Sequence, residues 1–204
     1  MIAALYVQRD GAYYGIPDVD PWDEARDARR YPGPWPVVAH PPCARWCALA
    51  GLVQHRYGHR KGADSGCFAL ALQAVRSWGG VLEHPAWSRA WPAFGLYAPS
   101  SAGGWTPADY QGGWTCHVEQ GHYGHAAHKA TWLLVYGAPL PTLKWGRASG
   151  CTAQVSRLYV SKPRGDYDKK YRAIPQGPEA AHTPPAFRDL LLSIARSVPQ
   201  PTHR

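Results

Sequence analysis

A cysteine that follows two prolines is the residue of this chain best placed to do chemistry. The apolar run Trp35-Pro36-Val37-Val38 predicts a buried strand, and Ala39-His40-Pro41-Pro42-Cys43 comes directly after it. Because the prolines end the strand and fix the backbone, Cys43 is expected at the carboxyl end of that strand. Ligands of open α/β sheets bind at this edge, so Cys43 is a candidate nucleophile. The alternative is a small buried apolar side chain, as most free cysteines are.

An acid and a cation stand beside later apolar runs. Val81-Leu82 predicts a strand that breaks at Glu83-His84-Pro85, and Lys129 lies just ahead of the predicted strand Thr131 to Gly137. We expect Cys43, Glu83 and Lys129 to converge on one rim of the sheet. A thiolate can attack an electron-poor ring carbon, an acid can share a proton with a ring nitrogen, and a cation can offset charge. The competing interpretations are a helix-capping or ion-paired Glu83, a surface Lys129 and a turn-capping His84.

The elements that must position these residues alternate between strands and helices. Strands are predicted at residues 2–7, 35–38, 81–82 and 131–137, and helices at residues 23–30, 67–78 and 185–198. This alternation predicts one compact α/β domain over residues 1–204, with three layers, a mainly parallel sheet and long irregular loops. Residues 86–115 are expected to form one such loop, with two turns at the similar segments Gly103-Gly104-Trp105-Thr106 and Gly112-Gly113-Trp114-Thr115.

The composition excludes several classes of protein. The chain has 204 residues, 45% of them hydrophobic, which suits a globular domain with a proper core. It contains no apolar run of about 18 residues, so no membrane span is expected. The run Met1 to Val7 lacks the basic region of a signal peptide. Five unpatterned cysteines indicate reduced thiols in a cytoplasm-like compartment.

A net charge of +8 favours a polyanionic partner, of which nucleic acid is the commonest. The 10 Trp and 12 Tyr, against 3 Phe, suit stacking on bases, although they also suit a small core. Arg56, Arg60 and Lys61 stand in a basic loop that either contacts phosphates or is a solvated surface. A second basic set lies in an irregular region and comprises Lys162, Arg164, Lys169, Lys170 and Arg172.

The order and spacing of these segments resemble the DNA (cytosine-5) methyltransferases. Pro41-Pro42-Cys43 is similar to the Pro-Cys nucleophile loop of that family, and Val81-Leu82-Glu83-His84-Pro85 is similar to its Glu-Asn-Val motif. Tyr123 to Gly137 is similar to its Tyr-Gly-Val-Pro-Gln-x-Arg-x-Arg segment and the following strand. Asp20-Pro21-Trp22-Asp23 is similar to its acidic-aromatic stretch, and His182-Thr183-Pro184-Pro185 to its closing motif.

The chain departs from the family pattern in identifiable places. Gln8-Arg9-Asp10-Gly11 stands where the family has a Gly-x-Gly after the first strand, and the stretch from Trp22 to Cys43 is too short for the usual extra strand and helix. The region available for target recognition is residues 138–173. Four residues replace the family's glutamines and arginines: Ala44, Ala127, Lys129 and Thr131. The chain also resembles small phage and prophage proteins with the same blocks, which implies the cytoplasm of a bacterial host.

The resemblance implies a Rossmann-like, methyltransferase-like fold and a base-flipping mechanism. Cys43 would add to position 6 of cytosine, and Glu83 would engage the ring nitrogen and the exocyclic amine. Lys129, with Arg45, would offset charge while a methyl or other one-carbon group is transferred to position 5. The implied donor is S-adenosylmethionine, bound by Asp20, Trp22, Gly11 and Pro42, with Asp20 on the ribose and Trp22 on adenine. The expected DNA contacts are Arg56, Arg60, Lys61, His125 and His128.

Three alternatives stay open on the sequence. The first is a catalytically inactive protein that flips a base and binds DNA. The second is a metal-dependent nucleic-acid or nucleotide enzyme, since zinc takes such ligands as His40, Cys43, Cys47, His122, His125 and His128. The absence of a Cys-x-x-Cys pair weighs against metal. The third keeps the covalent chemistry but uses a free cytosine nucleotide or a different donor, such as a folate-borne one-carbon unit.

Overall fold

The computed structural model describes residues 1–47, 50, 54–55, 60–155, 172–174 and 181–199. Within them, the strands are β1 (Ile2–Leu5), β2 (Val19–Trp22), β3 (Val37–Ala39), β4 (Gly80–Pro85), β5 (Trp105–Pro107), β6 (Trp114–Glu119), β7 (Ala127–His128), β8 (Ala130–Tyr136), β9 (Ala153–Val155) and β10 (Arg172–Ile174). The helices are α1 (Cys67–Trp78), α2 (Ala90–Ala93) and α3 (Pro185–Arg196), with 3-10 turns at Ala28–Arg30 and Gln120–Tyr123.

Seven strands form one mixed sheet in the order β2-β1-β3-β4-β8-β6-β5. The ladders from β2 to β4 are parallel, whereas β8 runs antiparallel to both β4 and β6, and β5 is antiparallel to β6. The two ladders that β8 forms are the longest in the sheet, with six residue pairs each, and they are antiparallel. The prediction of a mainly parallel sheet is therefore wrong. The physical reason is the short connection from β6 to β8, which holds no crossover helix and therefore returns the chain as an antiparallel neighbour.

One helix packs on each face of the sheet, and each face has its own core. Leu82 and Val37 face α1, together with Phe68 and Val75 of that helix. The alternate residues Val81 and Leu133 face α3, together with Phe187 and Leu191. Because side chains alternate along a strand, His84 of β4 faces the α1 side of the sheet and Glu83 faces the α3 side.

The two long helices confirm the predictions from helical spacing. α1 spans the predicted residues and ends at Gly79, which adopts a positive φ of 73° and donates its N–H to the Val75 carbonyl. α3 begins with Pro185 and buries its apolar face on the sheet. Residues 23–30 differ from the prediction, because the structure has turns there and a 3-10 turn at Ala28–Arg30 instead of an α-helix.

Two segments predicted as loop turns or as a strand end lie within strands of the structure. Trp105 pairs with Cys116 and Thr106 with Thr115, so the two glycine-tryptophan segments are the facing strands of one antiparallel ladder and not two loop turns. Strand β4 continues through Glu83 to Pro85, so Glu83 lies within the strand and not beyond its end. A second, three-stranded sheet has the order β10-β9-β7.

The connection from β1 to β2, residues 6–18, contains no helix. Its Tyr13 packs in the same core as α3, and Arg188 of α3 donates a 3.0 Å hydrogen bond to the Ala12 carbonyl. This loop therefore covers the α3 side of the sheet beside the candidate site. Among the described residues, no helix combines the length and the apolar character that crossing a bilayer requires.

Candidate functional site

Cys43 opens the turn that follows β3. His40 still donates its backbone N–H to the Leu5 carbonyl at 3.0 Å, and the two prolines then release the chain from the sheet. The Cys43 carbonyl accepts hydrogen bonds from the backbone N–H groups of Trp46 and Cys47, both at 2.9 Å. The thiol is half-buried, and burial, reinforced by Cys47 and by the charge of Glu83, raises its pKa to about 11. Lys129 acts in the opposite direction, so both predicted partners lie within electrostatic reach of the sulfur.

Glu83 accepts a hydrogen bond on each carboxylate oxygen. His40 Nδ1 lies 3.0 Å from Oε2, and Gln120 Nε2 lies 3.2 Å from Oε1. Burial by itself would raise the pKa of Glu83, but the His40 hydrogen bond, with the charges of His40 and Lys129, holds it below its ordinary value. Glu83 is therefore an ionised carboxylate at neutral pH, although its side chain is only 12% exposed.

Tyr13 completes a chain of hydrogen bonds behind Glu83. Its hydroxyl lies 2.7 Å from His40 Nε2, and burial raises the pKa of Tyr13 well above its ordinary value. Because the ionised Glu83 carboxylate can only accept, His40 Nδ1 carries a proton and donates it to Oε2, while Tyr13 holds the other ring nitrogen in place. The sequence placed His40 only among possible metal ligands, and no local pattern pointed to Tyr13.

Gln120 is a second site residue that the sequence did not single out. Its side chain is 1% exposed, and its amide nitrogen also donates to Thr131 Oγ1 at 3.0 Å. Its backbone N–H donates to the Lys129 carbonyl at 3.0 Å, which ties the 3-10 turn after β6 to the start of β8. The only sequence signal for Gln120 is its position three residues before Tyr123, in a segment selected for other residues.

Lys129 is held beside the site by the carboxyl-terminal segment. Its Nζ donates to the backbone carbonyls of Ala181 at 3.2 Å and His182 at 3.0 Å. Burial lowers the pKa of Lys129, while the charges of Glu83 and Cys43 act to raise it. Cys43, Glu83 and Lys129 therefore lie within electrostatic reach of one another although they come from three separate chain segments, and their joint role in a reaction stays a prediction.

His84 does not cap a turn. It is fully buried, with its ring centroid 5.4 Å from that of Phe68 and 6.2 Å from that of Trp91. Burial lowers the pKa of His84 to about 4, although the charge of Glu83 and the Pro42 backbone favour protonation. His84 is therefore a neutral packing residue beneath the Cys43 turn.

The residues expected to bind S-adenosylmethionine do not form an open cradle. The guanidinium carbon of Arg26 lies 4.0 Å from the Trp22 ring centroid, and Arg26 also donates to the Asp20 carboxylate. Asp20 accepts a further bond from Trp22 Nε1 at 2.8 Å.

Gly11 closes a tight turn by donating to the Gln8 carbonyl, and no helix follows it to present its amino terminus to a carboxylate. Pro42 is exposed beside Cys43. These residues do not fit the donor in the way that the resemblance implies.

The expected DNA contacts divide into two groups. Arg60 and Lys61 are exposed, and Gly62 next to them donates to the Arg45 carbonyl at 3.1 Å, so this basic loop is bonded to the turn after Cys43. Arg45 itself is half-buried in that turn, and Arg56 lies outside the described residues.

The two histidines are placed differently. His125 is 5% exposed, and its Nδ1 accepts from the Ala127 N–H at 3.0 Å. His128 Nδ1 bonds Glu119 at 2.9 Å, and its side chain is 9% exposed. Both therefore make hydrogen bonds within the fold and expose little of their side chains, and their role as DNA contacts stays a prediction.

The histidine spacing that suggested a metal does not bring ligands together. His122 Nε2 contacts the Gly146 carbonyl at 3.1 Å, whereas His125 and His128 have the separate partners given above. In the part of the chain that the structure describes, no three His, Cys, Asp or Glu side chains form a group able to hold a metal ion. All five cysteines carry free thiols.

Comparison of the chain with protein-family models, with curated proteins and with solved structures found no match in any of the three. The site must therefore be interpreted from its own geometry: a half-buried thiol, a largely buried carboxylate with two hydrogen-bond donors, and a half-buried lysine at one edge of a mixed sheet.

Proposed function

We propose that this protein activates cytosine in DNA by a covalent bond between Cys43 and position 6 of a flipped base. The observation that carries the proposal is the convergence of Cys43, Glu83 and Lys129 from three separate segments. The ladder of β3 with β4 ends at Ala39 and Leu82, and the ladder of β4 with β8 ends at Pro85 and Thr131, so the three residues follow or precede neighbouring strand ends. The charges of Glu83 and Lys129 both act on the pKa of Cys43. A sulfur, a carboxylate and a cation are the three groups that addition to a pyrimidine ring requires. The proposed fold class is a small Rossmann-like, methyltransferase-like domain, supported by the parallel strands β2-β1-β3-β4 and the helix on each face.

The proposed step balances without an external acid or base. The Glu83 carboxylate takes the thiol proton as the sulfur attacks position 6, so the S–H bond breaks and the S–C6 bond forms. The electron pair of the C5=C6 bond moves through C4 to N3, and Glu83 returns the proton to N3. Lys129 offsets the negative charge carried by sulfur and carboxylate during the transfer. The raised pKa of Cys43 explains why a base is needed, because the free thiol keeps its proton at neutral pH.

The proposed substrate is a cytosine base carried by DNA. The resemblance to the DNA (cytosine-5) methyltransferases adds transfer of a methyl or other one-carbon group to position 5, with S-adenosylmethionine as the proposed donor. Because Asp20, Trp22 and Gly11 do not fit that donor, no step is derived through it. The DNA side is supported by the exposed Arg60 and Lys61, whose loop is bonded to the Cys43 turn.

The test is covalent trapping by oligonucleotides in which one cytosine is replaced by 2-pyrimidinone, with random flanking bases. Removing the electron-donating amino group makes position 6 more electrophilic, so the adduct can form without a group donor. We expect a denaturation-resistant complex that maps to Cys43, is lost in Cys43→Ser and persists in Cys47→Ser, a matched change in the same turn. Absence of any adduct at Cys43 contradicts the proposal.

A second function is favoured by two observations, the raised pKa of Cys43 and the unsuitable donor residues. In that case the chain binds a flipped base in DNA without modifying it. The trapping experiment separates the two functions, since a binder retains the oligonucleotide under native conditions and releases it completely on denaturation.

A further inference from the structure

We propose that Tyr13 and His40 are positioning residues that lock Glu83 in the state needed to take the Cys43 proton. The inference rests on the proposed function and goes beyond it by assigning roles to two residues outside the acid, thiol and cation set. The Tyr13 hydroxyl occupies His40 Nε2 at 2.7 Å, which leaves the Nδ1–H to bond Glu83 Oε2 at 3.0 Å. The two contacts thereby hold the His40 ring in the orientation in which its Nδ1–H donates to the carboxylate.

Tyr13 and His40 are both buried or nearly so, and the packing of the fold therefore holds them together. His40 follows the end of β3, and its side chain is 14% exposed. Tyr13 is 3% exposed, its ring centroid lies 5.3 Å from that of His40, and it packs in the core beneath α3. Gln120 donates a hydrogen bond to the other oxygen of Glu83. Each carboxylate oxygen therefore has a donor, which restricts rotation of the carboxylate.

The locked carboxylate has a definite use in the addition step. With Nδ1–H bonded to Oε2, Glu83 remains ionised and keeps a fixed direction, while the proton moves from sulfur to carboxylate and then to ring nitrogen. His40 and Tyr13 exchange no proton with the substrate, since a Tyr13 buried in this way keeps its own proton. They act only through Glu83.

Several other charged or titratable groups face this arrangement and must be held constant in a pH experiment. These groups are His84 on β4, Lys129 just before β8, and Cys43 in the turn after β3. From α3, Arg188 and Asp189 act on Tyr13. Each of these is unchanged in the variants below.

The experiment measures the rate of trapping by the 2-pyrimidinone oligonucleotide from about pH 3 to pH 9, a range that includes the lowered pKa of Glu83, for four proteins: wild type, His40→Ala, His40→Asn and Tyr13→Phe. In the wild type we expect the rate to fall at acid pH as Glu83 becomes protonated. His40→Ala removes the donor, so that acid limb should move up by about one pH unit and the rate at neutral pH should fall about tenfold.

The other two variants separate positioning from packing. Asn carries an amide N–H where His40 has Nδ1–H, so His40→Asn should restore the acid limb to the wild-type position. Tyr13→Phe keeps the ring but frees His40 Nε2, so the acid limb should move in the same direction as in His40→Ala, by less. Wild-type rates and pH profiles in both His40→Ala and Tyr13→Phe would overturn the proposal.

A measurement that does not depend on trapping tests the positioning role of His40 and Tyr13 separately from the proposed function. Carbon NMR of protein labelled at glutamate carboxyl groups follows the titration of Glu83 directly, with Glu83→Gln to assign the resonance. The Glu83 midpoint should rise in His40→Ala and stay unchanged in His40→Asn. If the wild type is never trapped, the proposed function fails and the lock is judged by this titration alone; an unmoved midpoint in His40→Ala defeats the lock. Should His40→Ala fail to fold, Tyr13→Phe supplies the same comparison.

Discussion

Glu83 shows how much a single side chain depends on its neighbours. Placed alone in a buried strand, its carboxyl group would be protonated, because low polarity disfavours charge. The hydrogen bond from His40, with the charges of His40 and Lys129, reverses that preference and keeps the pKa below its ordinary value. The stabilisation that this charge contributes is present above the unfolded pKa of glutamate and is lost as pH falls through the lowered folded value.

Glu83→Gln tests the role of the carboxylate in proton transfer. An amide has nearly the same size but cannot accept the thiol proton, so trapping at neutral pH should slow by about a hundredfold or more. Affinity for DNA should change little, because the basic loop is untouched. Gel analysis of trapping and native binding measure the two effects, and Glu119→Gln, which alters the carboxylate bonded to His128, is the matched control. Equal trapping by wild type and Glu83→Gln would exclude Glu83 from the reaction.

His84 makes a prediction about stability and pH. Its pKa falls from 6.5 in the unfolded chain to about 4 in the folded one, so between these values the unfolded state binds more protons. Stability is therefore expected to fall by about 3 kcal/mol as pH drops from 7 to 4. His84→Phe should remove that part of the slope, whereas the exposed control His182→Asn should keep it. Urea unfolding across this pH range measures the slope, and identical slopes in all three proteins would contradict the assignment.

At the scale of elements, three short connections decide where the site residues lie. The Pro41-Pro42 pair places Cys43 beyond the end of β3. The 3-10 turn Gln120–Tyr123 places Gln120 within hydrogen-bond distance of Glu83, and the connection into β8 carries Lys129. α3 then covers the same side of the sheet, and the segment before it supplies the carbonyls that hold Lys129. Each connection is short, so the site residues have little freedom to separate.

α3 provides a test of packing on this side of the sheet. Leu191 is fully buried against the sheet, so Leu191→Ala should cost about 2–5 kcal/mol of unfolding free energy through lost burial and the cavity left behind. Leu190 is only partly buried in the same helix, and Leu190→Ala should cost clearly less. Urea denaturation of both variants measures the difference. Equal losses would mean that α3 does not pack on the sheet through the face described.

At the scale of the whole molecule, the excess of positive charge and the position of the basic loop both favour a polyanionic partner. The net charge is +8, and Arg60 and Lys61 are bonded through Gly62 and Arg45 to the turn that carries Cys43. A polyanion drawn to this loop would therefore lie beside the thiol. Long-range attraction of this kind weakens as salt screens it.

Salt dependence tests that arrangement. If Arg60 and Lys61 contact phosphates, the logarithm of the DNA association constant should fall linearly with the logarithm of salt concentration. The double variant Arg60→Gln/Lys61→Gln should reduce the slope by about two. The control Arg196→Gln removes one charge where α3 ends near Gly79, at the other end of β4 from the site, and it should leave the slope unchanged. Fluorescence anisotropy measures all three slopes; equal slopes would place the DNA elsewhere.

Prediction from sequence worked best where structure depends on neighbours along the chain. The apolar spacing of α1 and α3, the glycine stop after Trp78 and the strand before Gly137 needed only local periodicity and backbone preference. It failed where one segment had to choose a distant partner. The two glycine-tryptophan segments looked like loop turns because each is short and rich in glycine, yet each pairs with the other.

The site divides in the same way. By itself the sequence determined which atoms are available: a thiol after two prolines, a carboxylate and an ammonium group near predicted strand ends. Only the tertiary structure decided that Tyr13 and His40 stand behind Glu83, that Gln120 grips its other oxygen and that Arg26 covers Trp22. Hydrogen bonds between residues far apart in the chain depend on strand order and on side-chain direction, and neither is encoded in local spacing.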